Sequence, residues 1–184
     1  MKRLRRYSPA FLAALLVAGC VGVARTVDTS ATPKAGMGYL TGIFVDASTQ
    51  TMPLRKLIVT FENNETKTQH TVEFQKEGRD LQLIEVPPGT YHVASWNLAN
   101  MFNNPMINGK PQGVLFRREF KVAPDQVHFL GQFTGSSTVT NAGTMVYYNA
   151  QIKPERIFPA ETDRQAFGQR FPAFSRLPMK AAYF

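Results

Sequence analysis

The groups that this sequence offers for covalent or acid–base chemistry are few and scattered. One thiol, Cys20, closes the run Leu15-Leu16-Val17-Ala18-Gly19-Cys20, and the three imidazoles are His70, His92 and His128. A zinc site legible in sequence needs ligand spacings such as H-x3-H or H-E-x-x-H, which put two imidazoles on one face. None occurs, so neither a metal site nor a cofactor is expected. Nucleophile signatures are missing too: there is no G-x-S-x-G elbow and no S-x-x-K. Gly135-Ser136-Ser137 lacks the lysine and following helix of a phosphate loop, so "GQFTGSS" reads as a connection. Paired carboxylates of the glycosidase kind become visible only in three dimensions. The expectation is a protein with no catalytic residues, and the one group left to explain is Cys20.

What that thiol does depends on the segment presenting it. Lys2, Arg3, Arg5 and Arg6 stand in the first ten residues with no acid among them, and residues 11–19 follow as a short apolar core. That is the build of an export signal. A transmembrane helix needs about 20 apolar residues, and this run is about half that. Small residues Ala18 and Gly19 stand directly before Cys20, with Val17 ahead of them, which is a lipobox. The segment resembles the signal of bacterial lipoprotein precursors. The resemblance implies that Cys20 takes a diacylglyceryl group and becomes, after cleavage of residues 1–19, the acylated first residue. The physical logic agrees: one acyl chain holds marginally, each buried CH2 adds about 0.8 kcal/mol, and two or three chains hold durably. Exported chains that rely on disulfides carry spaced, even cysteines; none follows Cys20, so the fold must stand on its core. Val21 follows the cysteine where an inner-membrane retention signal commonly has Asp, which by the same resemblance favours the outer membrane, facing the periplasm.

The formal charge of +8 suggests nucleic acid at first sight. Four of the 21 basic residues lie in the removed segment, however, leaving 17 against 13 acidic residues, a net of +4. The densest basic cluster in the remainder is the pair Arg117-Arg118, which reads as a solvated face, so no nucleic-acid partner is expected. Residues 20–37 are rich in Thr, Ala, Ser, Gly and Pro without any sustained period. They read as a lipidated terminus and flexible tether, with an r.m.s. reach of about 20–25 Å for a coil of about 17 residues.

From Gly38 on, short β-rich runs are cut by turn residues every ten or so positions, the spacing of a sandwich or barrel. The runs are 38–46, 57–63, 70–76, 81–86, 90–97, 115–122, 127–133 and 144–152. Period two is clear in several. Phe116, Phe120 and Val122 alternate with Arg117, Glu119 and Lys121, and Val146, Tyr148, Ala150 and Ile152 form a second such face. Arg118 falls on the inward parity, where it either caps the core edge, snorkels outward or makes a buried ion pair. The fold class expected is an all-β antiparallel sandwich of about seven to eight strands, over residues 38–152, with a short C-terminal helix.

The segment "LQLIEVPPGTYHVASW", residues 81–96, places Pro88 and Gly89 where a type II turn wants a fixed φ and then a positive one. It predicts two strands joined as a hairpin, with Tyr91, Val93 and Ser95 on one face and His92, Ala94 and Trp96 on the other. This P-P-G-x-Y segment resembles that of transthyretin-like and carboxypeptidase regulatory-like sandwich domains, and "FKVAPDQVHFLGQF" is similar to bacterial β-sandwich lipoproteins. A shared fold brings no active site with it. Beyond residue 152, Thr162-Asp163-Arg164-Gln165 fits a capping box. A helix over 163–170, stopped by Pro172, would lay Phe167 and Phe171 on the sandwich. Phe174, Leu177, Tyr183 and Phe184 would continue that cover, closing an open edge or end.

The longest irregular stretch, residues 98–114, holds Met101, Phe102, Met106 and Ile107 among Asn, Gly and Pro. Long loops in compact domains are often functional. These four either form an exposed, adaptable recognition patch for an envelope protein partner or fold back to plug one end of the sandwich. The Asn64-Glu65-Thr66 sequon reads as chance in a bacterial exported protein. Three functional readings follow. The first is a non-catalytic envelope lipoprotein, bound to the membrane through Cys20 and acting as a binding or assembly module. The second is a lipoprotein of the kind used by type VI secretion, which also employs a lipidated transthyretin-like sandwich. The third is a small hydrolase or carbohydrate binder built on loops around Trp96 and residues 103–108, although a lone Trp on a strand is more simply core packing.

Overall fold

The computed structural model describes residues 21–23, 26–47, 54–75, 81–100, 105–109, 118–143 and 145–183. In chain order the strands are β1 (Val21–Val23), β2 (Gly38–Asp46), β3 (Leu54–Asn63), β4 (Gln69–Gln75), β5 (Gln82–Val86), β6 (Gly89–Asn100), β7 (Pro105–Gly109), β8 (Phe120–Val122), β9 (Val127–Ala142) and β10 (Met145–Arg156). Then come helix α1 (Glu161–Arg170), a 3-10 turn (Pro172–Phe174) and β11 (Met179–Ala181). One sheet runs β1-β4-β3-β6-β7 with β8 also on β6; the other runs β10-β9-β2-β5 with β11 also on β9. The fold is all-β and sandwich-like. Seven of the eight expected strands are present over most of their length; of the run 115–122 only 120–122 is strand, with residues 115–117, Phe116 and Arg117 among them, outside the described residues, and β1, β7 and β11 add to these.

The sheets are mixed rather than antiparallel: β1 on β4, β2 on β9 and β11 on β9 are parallel pairs. None of these pairs is joined by a tight turn, so nothing forces the antiparallel sense that a hairpin imposes. β9 also continues well past residue 133, pairing with β10 up to Ala142. Thus Gly135-Ser136-Ser137 is strand rather than connection. Gly131 marks a bulge within the strand. β9 gains one residue on β2 between Phe129 and Gln132, with Gly131 at φ +133 and Arg156 O only 2.9 Å from where a Cβ would sit. A bulge of this kind wants a residue without a side chain.

Two apolar layers hold the molecule. Between the sheets lie Leu40, Phe44, Leu57, Val59, Phe61, Tyr91, Val93, Leu98, Phe120, Leu130 and Phe133, with Tyr183 from the C-terminal tail. The outer face of the β9-containing sheet is covered by Phe167, Phe171 and Phe174, packed on Tyr39, Leu83, Val127 and Phe129. The tail therefore forms a third layer and also, through β11, extends the sheet beside the first residues of β9. The helix begins at Glu161, two residues earlier than expected, and its cap is built differently. Asp163, not Thr162 or Gln165, reaches back, its Oδ2 accepting from Ala160 N at 2.8 Å. Phe184 lies outside the described residues.

The Pro-Pro-Gly segment is not a hairpin turn. β5 pairs with β2 in one sheet and β6 with β3 in the other, so residues 87–88 form a corner between layers. Tyr91, fully buried, pins it by donating its hydroxyl hydrogen to Pro87 O at 2.7 Å, the geometry of a tyrosine corner. Gly89 is required by close approach: an added Cβ would lie 2.5 Å from Asn63 Nδ2. The expected alternation along β6 also breaks. β3 advances one residue, from Thr60 to Phe61, while β6 passes from Ser95 to Val93, a bulge that switches the buried parity. Tyr91 and Val93 are buried before it, and Trp96 and Leu98 face the same core after it. Arg118 is exposed, outside β8, and Phe120 and Val122 face inward as the period implies.

Residues 26–37 are not a free tether. Thr26 bridges Ile84, Val27 N donates to Leu83 O at 2.7 Å, and Val27, Ala31 and Met37 pack on the helix-side core. With β1 on the edge of β4, this stretch straps one side of the sandwich. Its composition resembles a linker, but backbone groups make the bonds, and an unpaired β5 edge offers them partners. Tyr91→Phe is expected to lower stability by about 1 kcal/mol, since it removes the hydroxyl hydrogen bond that fastens the corner at the Pro87 carbonyl. Urea unfolding should show a lower midpoint with an unchanged slope.

Candidate functional site

The sequence candidates fall in three places. Cys20, Met101 and Phe102 lie outside the described residues. Met106 and Ile107 lie on β7, with Ile107 opposite Leu98 of β6, so this half of the expected loop is an edge strand; their side chains are outside the description. β7 and β8 both run antiparallel to β6 along the same flank, at residues 96–99 and 89–91 respectively. Together they make one interrupted edge strand along β6.

The three histidines are separated by the fold. His92 lies beside Glu62 across β3 and places Nδ1 2.6 Å from Asn64 Oδ1. His70 pairs with Phe61 across β3, and its ring stands 5.9 Å from that of Tyr91; its buried Nε2 has no hydrogen-bond partner among the described residues. His128, 4% exposed, accepts the Ala123 N–H on Nε2 at 3.0 Å, which closes the turn between β8 and β9. That bond needs a lone pair on Nε2 and hence a neutral ring. Burial holds His128 below the ordinary histidine range, and Lys180 acts in the same direction; burial also lowers His70. Among the described residues no group of three or more His, Cys, Asp or Glu side chains is placed to hold a metal ion.

The strongest polar cluster joins the layers. Arg156, at the end of β10, grips Asp163 of α1 with both terminal nitrogens, one of them 2.9 Å from Oδ1. Its Nη2 also donates to Gln132 Oε1 at 2.9 Å, and its guanidinium lies 5.8 Å from the centre of the Phe129 ring. Asp163 is 7% exposed, so it needs this partner as well as the Ala160 N–H to offset the loss of water. Hydrogen bonding to Asp163 raises the Arg156 pKa still further. These hydrogen bonds hold the start of α1 against the sheet. Sequence reading missed the pair because Arg156 and Asp163 meet only once β10 and the helix dock.

A cleft of about 570 Å³ opens beneath the strap, lined by Thr26, Val27, Asp28, Ala31, Thr32, Lys34 and Glu85. Lys34 Nζ and Glu85 Oε1 close one side at 2.7 Å, with Lys34 largely exposed. Asp28 Oδ1 accepts from both the backbone N and the hydroxyl of Ser30, and these bonds lower its pKa. This is turn and ion-pair chemistry on the surface rather than a reactive centre. Trp96, the aromatic on which a sugar platform was conceivable, packs against the inter-sheet core.

No family model matches the chain, and no curated protein does. A similar solved structure is a leucine-rich repeat protein from Bacteroides thetaiotaomicron VPI-5482, 13% identical with a TM-score of 0.36. The match covers 53% of this chain and 14% of that chain, so this chain spans a small part of that protein's length. A likeness at that level assigns neither fold nor role.

The buried histidines set a pH dependence. Their folded pKa values lie below the 6.5 of an unfolded chain, so the unfolded state binds more protons as the pH falls. The corresponding stability is present above pH 6.5 and drains below it. The melting temperature should therefore fall from pH 7.5 to pH 5.0, and His128→Gln should flatten that slope. An equal slope in the variant would remove His128 as a cause.

Proposed function

We propose that this protein is a membrane-anchored lipoprotein of the bacterial cell envelope, with a diacylglyceryl group on the Cys20 sulfur. The folded part is a non-catalytic, transthyretin-like β-sandwich that acts as a binding or assembly module for an envelope protein partner. Cys20 carries this reading by its position. It follows a basic block and a short apolar run, completes Val-Ala-Gly-Cys, and stands one residue before β1. Cleavage ahead of Cys20 would thus leave the β body intact. Two acyl chains or more would then anchor a chain in which no helix among the described residues is long and apolar enough to cross a membrane.

The transthyretin-like reading is supported by the corner at residues 87–91, where Pro-Pro-Gly carries the chain between sheets and Tyr91 fastens it. The non-catalytic reading is supported by the roles of the polar side chains: Arg156 and Asp163 clamp the helix, His128 closes a turn, and His92 bonds Asn64. Val21 after the cysteine supports retention in the outer membrane, on the periplasmic side. Mass spectrometry of the native protein should find Cys20 as the first residue, bearing glyceryl-linked acyl chains. Phase separation in detergent should carry the native protein into the detergent phase and leave Cys20→Ala in the aqueous one. An unmodified thiol, or a mature chain that begins elsewhere, would overturn the proposal.

A further inference from the structure

The pairing of β1 determines which end of the sandwich stands next to residue 20. β1 runs parallel to β4 with Val21 opposite Gln69 and Val23 opposite Thr71. The chain therefore enters at the end of the sheet where β3 turns into β4 through residues 64–68. That end also gathers the inter-sheet corner, the β8–β9 turn and the close of the strap. Asn64 N donates to Thr90 O at 2.8 Å, Tyr39 N to Gln126 O at 3.0 Å, and Gly36 N to Asp125 Oδ1 at 3.0 Å. The β9–β10 hairpin runs to the opposite end, turning at Gly143. Successive Cα atoms are about 3.8 Å apart, so a strand that starts at Val21 leaves no slack between residue 20 and the body. A coil of about 17 residues would have allowed roughly 20–25 Å.

We infer, on the reading that Cys20 is acylated, that the end formed by residues 64–68, 87–88 and 124–125 is seated against the lipid headgroups. The sandwich then stands with the β9–β10 hairpin pointing away, its tip about 50 Å from the seated end over the length of β9 at roughly 3.3 Å per residue. The exposed charges at the seated end are Glu65 and Asp125 against Lys34, Lys67 and Lys121 on β8 beside Thr90, a net of only +1. The seating is set by the short link and not by attraction to anionic lipid. A competing orientation exists on the same molecule. After Asp163 the chain holds Arg164, Arg170, Arg176 and Lys180 with no acid, and Arg164, Arg176 and Lys180 are exposed on the helix layer. If charge decided, that flank would lie on an anionic bilayer instead.

The two orientations separate by depth-dependent quenching. Acylation occupies the only native thiol, so single cysteines introduced as Glu65→Cys, Arg176→Cys and Asn141→Cys in the mature lipoprotein label uniquely with a fluorophore. The labelled proteins are reconstituted in zwitterionic or partly anionic vesicles containing headgroup-nitroxide lipid. Quenching at position 65 should exceed that at 141 several-fold, with 176 between them, in both kinds of vesicle and at low and high salt. Two results would overturn the seating with the lipid reading left intact: equal quenching at 65 and 141, or quenching strongest at 176 and confined to anionic vesicles. Failure of the lipid reading shows separately, as an unmodified Cys20 mass and protein that does not float with the vesicles, and it removes the seating as well.

Discussion

A β-sheet that ends in the open presents a row of unpaired N–H and C=O groups, and a two-sheet sandwich has several such rows to cover. This constraint accounts for most of what is unexpected in the molecule. On one flank a single stretch of chain serves both sheets: β1 lies on β4, and residues 26–27 lie on β5. On the other flank β6 is met by the interrupted pair β7 and β8, and β9 by β11 at one end and β10 along the rest. Near its end β10 carries Lys153, Pro154 and Glu155, charges and a missing N–H that discourage another strand.

Side-chain burial works within that frame. The inter-sheet layer is knit by aromatic contacts that converge on Phe120, edge-on to Phe61 at 5.6 Å and to Tyr183 at 5.4 Å, and stacked with Tyr91 at 6.0 Å. Through Tyr183 the end of the chain is held in the same layer as the corner near residue 87. In the second layer Tyr39 of the sheet meets Phe174 of the 3-10 turn, Phe167 packs on Phe171 within the C-terminal layer, and the Arg156–Asp163 pair sets the helix in register at its start. Apolar area supplies the driving force, whereas the polar contacts choose one docking position among several that the rings alone would tolerate.

Much of this was legible in the residues. Turn spacing, with period two in several runs, located seven strands and the end of an eighth, and Phe167, Phe171 and Pro172 located the helix and its stop. What escaped depends on backbone pairing between distant segments, which side-chain types do not encode. The Thr/Ala/Gly-rich residues 26–37 look like a linker because they lack apolar period, yet they bond through main-chain groups. The Ala94–Ser95 bulge reverses the parity of Trp96 because β6 carries one extra residue opposite the step from Thr60 to Phe61 of β3, and β6 alone carries no sign of it. Pro87-Pro88-Gly89 announces a turn, but whether a turn stays in one sheet or crosses to the next depends on partners elsewhere. Cys20 is the converse case. Its proposed role is covalent and local, so it can be read from the six residues around it, and no packing was needed to suggest it.

The central claim is that the residues after Cys20 are part of the folded body. Amide hydrogen exchange of the mature chain, resolved by residue, tests it most directly. Val27, whose N–H is held by Leu83 O, and Met37, whose N–H is held by Lys34 O at 3.2 Å, should exchange slowly, with Val27 protected to a degree comparable with the β5 amides. Exchange across residues 26–37 at the rate of an unstructured peptide, while β5 remained protected, would contradict the account.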